Sequence, residues 1–399
     1  MKNKYQTVFF FIFIYLIYMT LSVNHLFIKL RIPVMTPPFA DLRLITSTAE
    51  CVQKDPLWSL QSSSCDPWNR PFNLPTLWAK LFAALDLTES KTNFIGYIFI
   101  LMFSLAAAYW FHQFVQSNHL SGIYRVAAIG VLFALFISPP VLLLLERGNV
   151  DVLIFIGITF SVHLLRKRRF LAALLLTLLG GLKLFPWAGL LFMLRSKFSK
   201  ISILAICSIL FFLGLHLAPE LSLIKSRSIT DFNGISFGVS MVPEFILTRF
   251  NHFEAFTLAH TLGSLGFLFL MMAYGHILPK FRHLDIQECV TEIKSDRVSE
   301  ESFLIVASVF LGTYLVGTSY DYRLVFIIPL LISLSQFLKS NVQNLALGAF
   351  GLLILYDSYW FKPTVGIISD LALLAFAPLV AYLLYKLIRV DFEHNRYRQ

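Results

Sequence analysis

Ten apolar runs divide this chain, and no other feature restricts its fold as strongly. They lie near residues 6–28, 92–116, 123–145, 150–165, 201–218, 257–278, 302–318, 323–338, 343–359 and 365–388. A hydrocarbon core about 30 Å thick takes roughly 17–25 apolar residues per helix, so runs of this size read as spanning helices. In lipid each segment must satisfy its own backbone hydrogen bonds, which selects helices over open strands. Composition agrees. The chain is 57% hydrophobic and 14% charged, against roughly 25% charged in ordinary soluble domains, and its mean hydropathy is +0.71. The expectation is an all-α polytopic membrane protein, one domain over residues 1–399, without internal repeats.

The formal net charge is +10. The basic residues gather at helix ends, as in Arg166-Lys167-Arg168-Arg169 and from Arg195 to Lys200. That is the positive-inside pattern rather than a nucleic-acid stripe, so no nucleic-acid partner is expected. The N-terminal Met-Lys-Asn-Lys leads into a long apolar run with no small-residue cleavage site, which reads as an uncleaved first helix. Lys2 and Lys4 then place the N-terminus in the cytoplasm and the first large loop, 29–91, outside. The 166–169 and 195–200 clusters, the 279–300 loop and the C-terminal tail fall inside. The 219–256 loop and the 319–323 turn fall outside.

Segment 170–194 is basic at both ends and contains Gly180-Gly181 and Pro186. These residues are expected to break the helix into arms of about 8–11 residues, too short to cross the core. The reading is a re-entrant pair lining a cavity, with Lys183 near its floor. Counting it gives about eleven spanning segments. In the first outer loop, Leu74 to Leu87 has amphipathic helical spacing and residues 41–53 form a second candidate helix.

Polar residues at the mouth of such a domain are costly unless they bind or react. Asp41 leads the candidates, with Arg43 two residues on. A carboxylate there can take the proton of an attacking hydroxyl, or can simply cap the helix that starts at this point. Arg147, Asn149 and Asp151 crowd a short turn between two apolar runs, which is either a phosphate-binding element or a solvated hairpin with a local ion pair. Lys183 faces a phosphate from within the cavity, or snorkels to the interface. Tyr320, Asp321 and Arg323 sit in the outer turn as substrate ligands, or as an interface anchor and a salt bridge. Cys51 and Cys65, fourteen positions apart on the outer side, are either a disulfide or two free thiols. The chain has no Cys-x-x-Cys or His-rich pattern, so no metal and no cofactor is expected. It also lacks a nucleotide-binding motif or a soluble domain to carry one, so a sugar donor would be lipid-linked.

Four elements in order resemble the polyprenyl-phosphate-sugar-dependent membrane glycosyltransferases of the GT-C fold, nearest to glycosyltransferase family 87, the alpha-mannosyltransferase-like group. They are Pro38-Phe39-Ala40-Asp41-Leu42-Arg43, the late-loop Arg70-Pro71-Phe72-Asn73-Leu74-Pro75, the hairpin Arg147-Gly148-Asn149-Val150-Asp151, and Lys183-Leu184-Phe185-Pro186. The resemblance implies that Asp41 is the base that deprotonates the acceptor. It implies a polyprenyl-phosphate monosaccharide donor, a glycan or glycolipid acceptor, and inversion at the anomeric carbon. Arg147, Lys183 and Arg323 are then candidates for the donor phosphate, and Arg43, Asn73, Asn149, Asp151, Tyr320 and Asp321 for substrate contacts. The chain has no Asn-x-Ser/Thr site, which favours a bacterial inner membrane with the site facing out. The rival readings are a lipid-linked oligosaccharide flippase and a non-catalytic membrane protein of polysaccharide assembly.

Overall fold

The computed structural model describes residues 2–23, 27–28, 32–55, 64–117, 122–196, 198–227, 236–241, 243, 255–277, 293, 296–315, 319–338, 340–360 and 366–396. Within these, the regular structure is helical apart from a two-residue antiparallel ladder that pairs Ser236 with Tyr320 and Phe237 with Ser319. Seven helices among the described residues, with α1 (Lys2–Val23) and α10 (Ala255–Ile277) among them, are long and apolar enough to cross a membrane. Four shorter apolar helices accompany them, over Asp151–Leu164, Arg169–Leu182, Phe185–Leu194 and Asn341–Tyr356.

The helices run back and forth between two ends of one bundle. At one end stand α2 (Ala40–Lys54) and α3 (Thr76–Ala84), which come from the first large loop. The same end carries the turn between α6 (Pro139–Arg147) and α7 (Asp151–Leu164), and the 3-10 turn Asp321–Phe326. The basic clusters stand at the other end. The run read as one span over 123–145 is one of the seven, Gly122–Arg147, interrupted before Pro139-Pro140, where α5 (Gly122–Phe136) stops and α6 restarts. Proline lacks the amide that would continue the ladder, and its preferred place is the first helical turn.

Segment 170–194 folds back on itself, but not where its glycines suggest. The first arm, α8, runs unbroken from Arg169 through Gly180-Gly181 to Leu182. The break falls at Lys183, which is extended at φ −153° and ψ 132°, one residue before Leu184 and the Phe185-Pro186 step. The return arm is a ten-residue 3-10 helix, Phe185–Leu194. At about 1.5 Å per residue for α and about 2.0 Å for 3-10 geometry, both arms rise roughly 20 Å and so close a level hairpin. The glycines serve packing instead. A Cβ on Gly180 would collide with the Trp187 indole, and that indole donates to the Thr177 carbonyl at 2.8 Å.

The two feet of the hairpin share one anchor. Arg169 donates to Glu301 at 2.7 Å and Arg195 to Glu300 at 2.9 Å, both acids lying in the first turns of α11 (Arg297–Leu315). Ser196 and Arg297 complete Glu301. The loop expected from residue 219 begins later, because α9 (Lys200–Arg227) continues past Pro219. Most of that loop lies outside the described residues.

Candidate functional site

Asp41 is set in place by the strained residue that precedes its helix. Phe39 is the N-terminal boundary residue of α2 and is left-handed, φ 62° and ψ 46°. A non-glycine residue holds that conformation only when its surroundings fix it. Here the ring is buried against Gly96, whose missing Cβ leaves the room it needs, and the Phe39 amide donates to the Glu146 carbonyl at 3.0 Å. Asp41 is therefore the second residue of the helix rather than its cap, and the helix start has no side-chain cap bond. A carboxylate in the first turn still faces the positive end of the helix dipole.

The turn opposite Asp41 is built with similar definition. Helix α6 ends on Gly148 at φ 59°; Gly148 N donates to the Leu145 carbonyl and Asn149 N to the Leu144 carbonyl. That pair of bonds is the Schellman closure, which needs a residue tolerant of the left-handed region. Asn149 Oδ1 then accepts the Asp151 amide at 3.0 Å and starts α7. Of the two readings of this turn, the solvated hairpin does not hold, because Asn149 and Asp151 are both buried.

One polar chain joins the two elements. Asn149 Nδ2 donates to Asp41 Oδ2 at 2.7 Å, while Asn149 Oδ1 accepts from Lys183 Nζ at 3.3 Å. Lys183 pairs with Asp151 Oδ1 at 2.7 Å, and Arg323 Nε donates to Asp151 Oδ2 at 3.2 Å. The Arg323 guanidinium also lies 5.8 Å from the Phe185 ring centroid. The corner is held from outside by α3, whose Trp78 indole donates to the Leu182 carbonyl at 3.1 Å. Glu220 of α9 in turn accepts the Thr76 amide at 2.8 Å, and the Thr76 hydroxyl as well, at the start of α3.

The structure thus gathers Asp41, Asn149, Asp151, Lys183 and Arg323 into one network. Arg43 and Arg147 are not in it. Arg43 points to Glu89 and Asn93, at 3.1 and 3.2 Å, and joins α2 to the start of α4 (Thr92–Ser117). Arg147 donates to the Pro33 carbonyl at 3.2 Å and pairs with its neighbour Glu146. Asn73 is half-buried and has no hydrogen bond to any described residue. Asp321 is buried at the head of the Arg323 turn, and Tyr320 pairs through its backbone, its side chain lying outside what is described. Cys51 and Cys65 form a disulfide with Cα atoms 6.2 Å apart.

Arg70 and Asp66 join the site without having stood among the candidates. Arg70 Nη1 donates to Asp41 Oδ1 at 3.1 Å, and its Nη2 to the Ala40 carbonyl at 2.6 Å. Its Nε and Nη2 fork onto the two oxygens of Asp66 at 3.1 and 3.0 Å. Burial alone would lower the Arg70 pKa; the bonds and charges of Asp66 and Asp41 outweigh it and hold the guanidinium above its ordinary value.

No curated protein and no solved structure matches the chain. A family model does. It spans residues 72–278 and so takes in Asn149, Asp151 and Lys183, while Asp41, Arg70 and Arg323 lie outside the matched stretch. That stretch is more than half of the 399 residues, and the protein belongs to glycosyltransferase family 87.

Proposed function

We propose that this membrane glycosyltransferase moves a hexose or pentose from a polyprenyl-phosphate donor to a lipid-linked or cell-envelope glycan, with Asp41 as the base. One observation carries the reading: the network is polarised. Two cations, Lys183 and Arg323, meet at the single acid Asp151, while the single cation Arg70 stands between two acids, Asp41 and Asp66, and Asn149 bonds to both sides. A transfer from a phosphodiester needs that pairing, a base for the acceptor beside cations for the departing phosphate.

The step balances as follows. The acceptor hydroxyl oxygen bonds to the anomeric carbon from the side opposite the phosphate, inverting it. The bond between that carbon and the phosphate oxygen breaks, and polyprenyl phosphate leaves with the electron pair. The hydroxyl proton passes to the Asp41 carboxylate. Lys183 and Arg323 meet the charge that grows on the phosphate. Asn149 fixes the second oxygen of Asp41, and Asp151 aims the two cations. The basic residues at the far end of the bundle support a cytoplasmic assignment for that end by the positive-inside rule. Asp41 would then face the extracytoplasmic side of a bacterial inner membrane. The ten apolar runs with the folded-back hairpin make about eleven segments in this arrangement.

The test is transfer of radiolabelled sugar from a polyprenyl-phosphate pool by purified protein in nanodiscs, with host membrane extract as acceptor. Asp41→Asn is expected to lose at least about a hundredfold, the scale of general-base removal. Equal transfer by wild type and variant would remove Asp41 as base while leaving the enzyme. Absence of transfer by either, with both pools shown competent, would favour a flippase.

A further inference from the structure

We infer that Arg70 is the positioning residue for Asp41 and belongs to the acceptor side of the reaction, not to the donor phosphate. The inference rests on the reading of Asp41 as base. An arginine at a sugar-phosphate site invites the opposite assignment, because guanidinium groups bind phosphate well. Three features of the geometry argue against it.

The first is charge. Arg70 faces two carboxylates, Asp41 and Asp66, so its surroundings are net negative and repel an incoming phosphodiester. The two cations that meet at one acid are Lys183 and Arg323, on Asp151.

The second is commitment of donors. A guanidinium has five N–H groups in a fixed fork. Four are taken: one by Asp41, one by the Ala40 carbonyl and two by Asp66. A bidentate phosphate grip would have to dismantle the Asp66 fork. The fifth N–H is on Nη1, the same nitrogen that holds Asp41.

The third is how firmly Arg70 is mounted. Asp66 is buried and accepts the amides of Trp68 and Arg70 at 3.1 and 3.0 Å, which fixes its turn. The Trp68 ring stacks on the guanidinium at 5.0 Å. The neighbouring Cys65 is tied to Cys51 of α2, the helix that carries Asp41. Base and guanidinium are thus parts of one braced unit. Its effect is to hold Asp41 in a single orientation, with Asn149 on one oxygen and Arg70 on the other.

The test uses the full chain in nanodiscs and measures kcat with separate KM values for donor and acceptor. Arg70→Ala is expected to lower kcat about tenfold to a hundredfold, the scale of a misplaced reacting group, with donor KM within about twofold. Asp66→Asn, which keeps Arg70 but loosens its fork, is expected to move kcat in the same direction by less. In Asp41→Asn, adding Arg70→Ala is expected to cost almost nothing more, because both changes remove one function. A rise in donor KM at unchanged kcat would overturn the inference, as would additive losses in the double variant. Should Arg70→Ala fail to fold, Asp66→Asn alone decides, and wild-type kcat there overturns it. Wild-type activity in Asp41→Asn would instead sink the base reading beneath it.

Discussion

The hairpin of residues 169–195 has an ionic network at each end, and the two are built to different rules. At its feet, Glu300 and Glu301 are buried beneath Arg169, Arg195 and Arg297, with side chains 5% and 0% exposed. At its tip, Asp151 and Asp66 are closed off just as fully, but Asp41 keeps 23% of its side chain accessible. Every carboxylate in the first network is covered. The second leaves one within reach. A satisfied and sealed network holds elements together; a network with one open carboxylate holds elements together and still has an acceptor to offer. The tip also uses its cations differently, because two of them, Lys183 and Arg323, converge on Asp151.

The sharpest way to break this contrast is at the feet. Glu300→Ala removes the acid that the Arg195 guanidinium, only 11% exposed, meets through both Nε and Nη2. Breaking a buried pair from one side costs up to about 3–5 kcal/mol. The expected result is a lower unfolding temperature, read by tryptophan fluorescence in detergent, with kcat per folded molecule unchanged. An unchanged temperature would mean that the sealed end contributes little. The complementary change at the tip is Lys183→Gln. Asp151 keeps Arg323 as its partner, so the fold should hold, while kcat/KM for the donor is expected to fall about tenfold to a hundredfold, or ~1.4–2.7 kcal/mol of barrier. If that variant lost stability and kept its kinetics, Lys183 would be a second Glu300, and the contrast between the two ends would collapse.

Much of this architecture is legible in the amino-acid sequence, and the limits have physical causes. The spans can be read because lipid allows little besides long apolar helices. The turn at 147–151 and the break before Pro186 can be read because glycine and proline restrict the backbone locally. Gly180-Gly181 misleads, since a glycine that ends a helix and a glycine that admits Trp187 look alike in sequence. Arg70 stands in the sequence only as the start of a proline motif. Its bond to Asp41 spans 29 positions, which no local pattern encodes. Its fork onto Asp66 does carry a signal, since an acid and an arginine four residues apart on either side of a tryptophan are within reach of one another in a tight turn. That Asp41 and Arg43 serve different partners is readable from spacing alone. Residues two apart on a helix do not face each other, so once residues 41–53 are helical the two must diverge.

That divergence supplies the mildest test. Arg43 is buried but pairs with Glu89, which is 40% exposed. A pair with one partner in solvent contributes about 1 kcal/mol or less. Arg43→Gln is therefore expected to lower stability slightly and to leave sugar transfer within about twofold of wild type, far from the loss at Asp41 although only two residues separate them. The same assay gives the comparison its resolution. If Arg43→Gln removed transfer as thoroughly as Asp41→Asn, the site would extend through α2 to the Glu89 side, and Asp41 would no longer stand apart as the one carboxylate left open. If transfer persists, the boundary between bracing and chemistry runs through the first turn of that helix, between two residues only two positions apart.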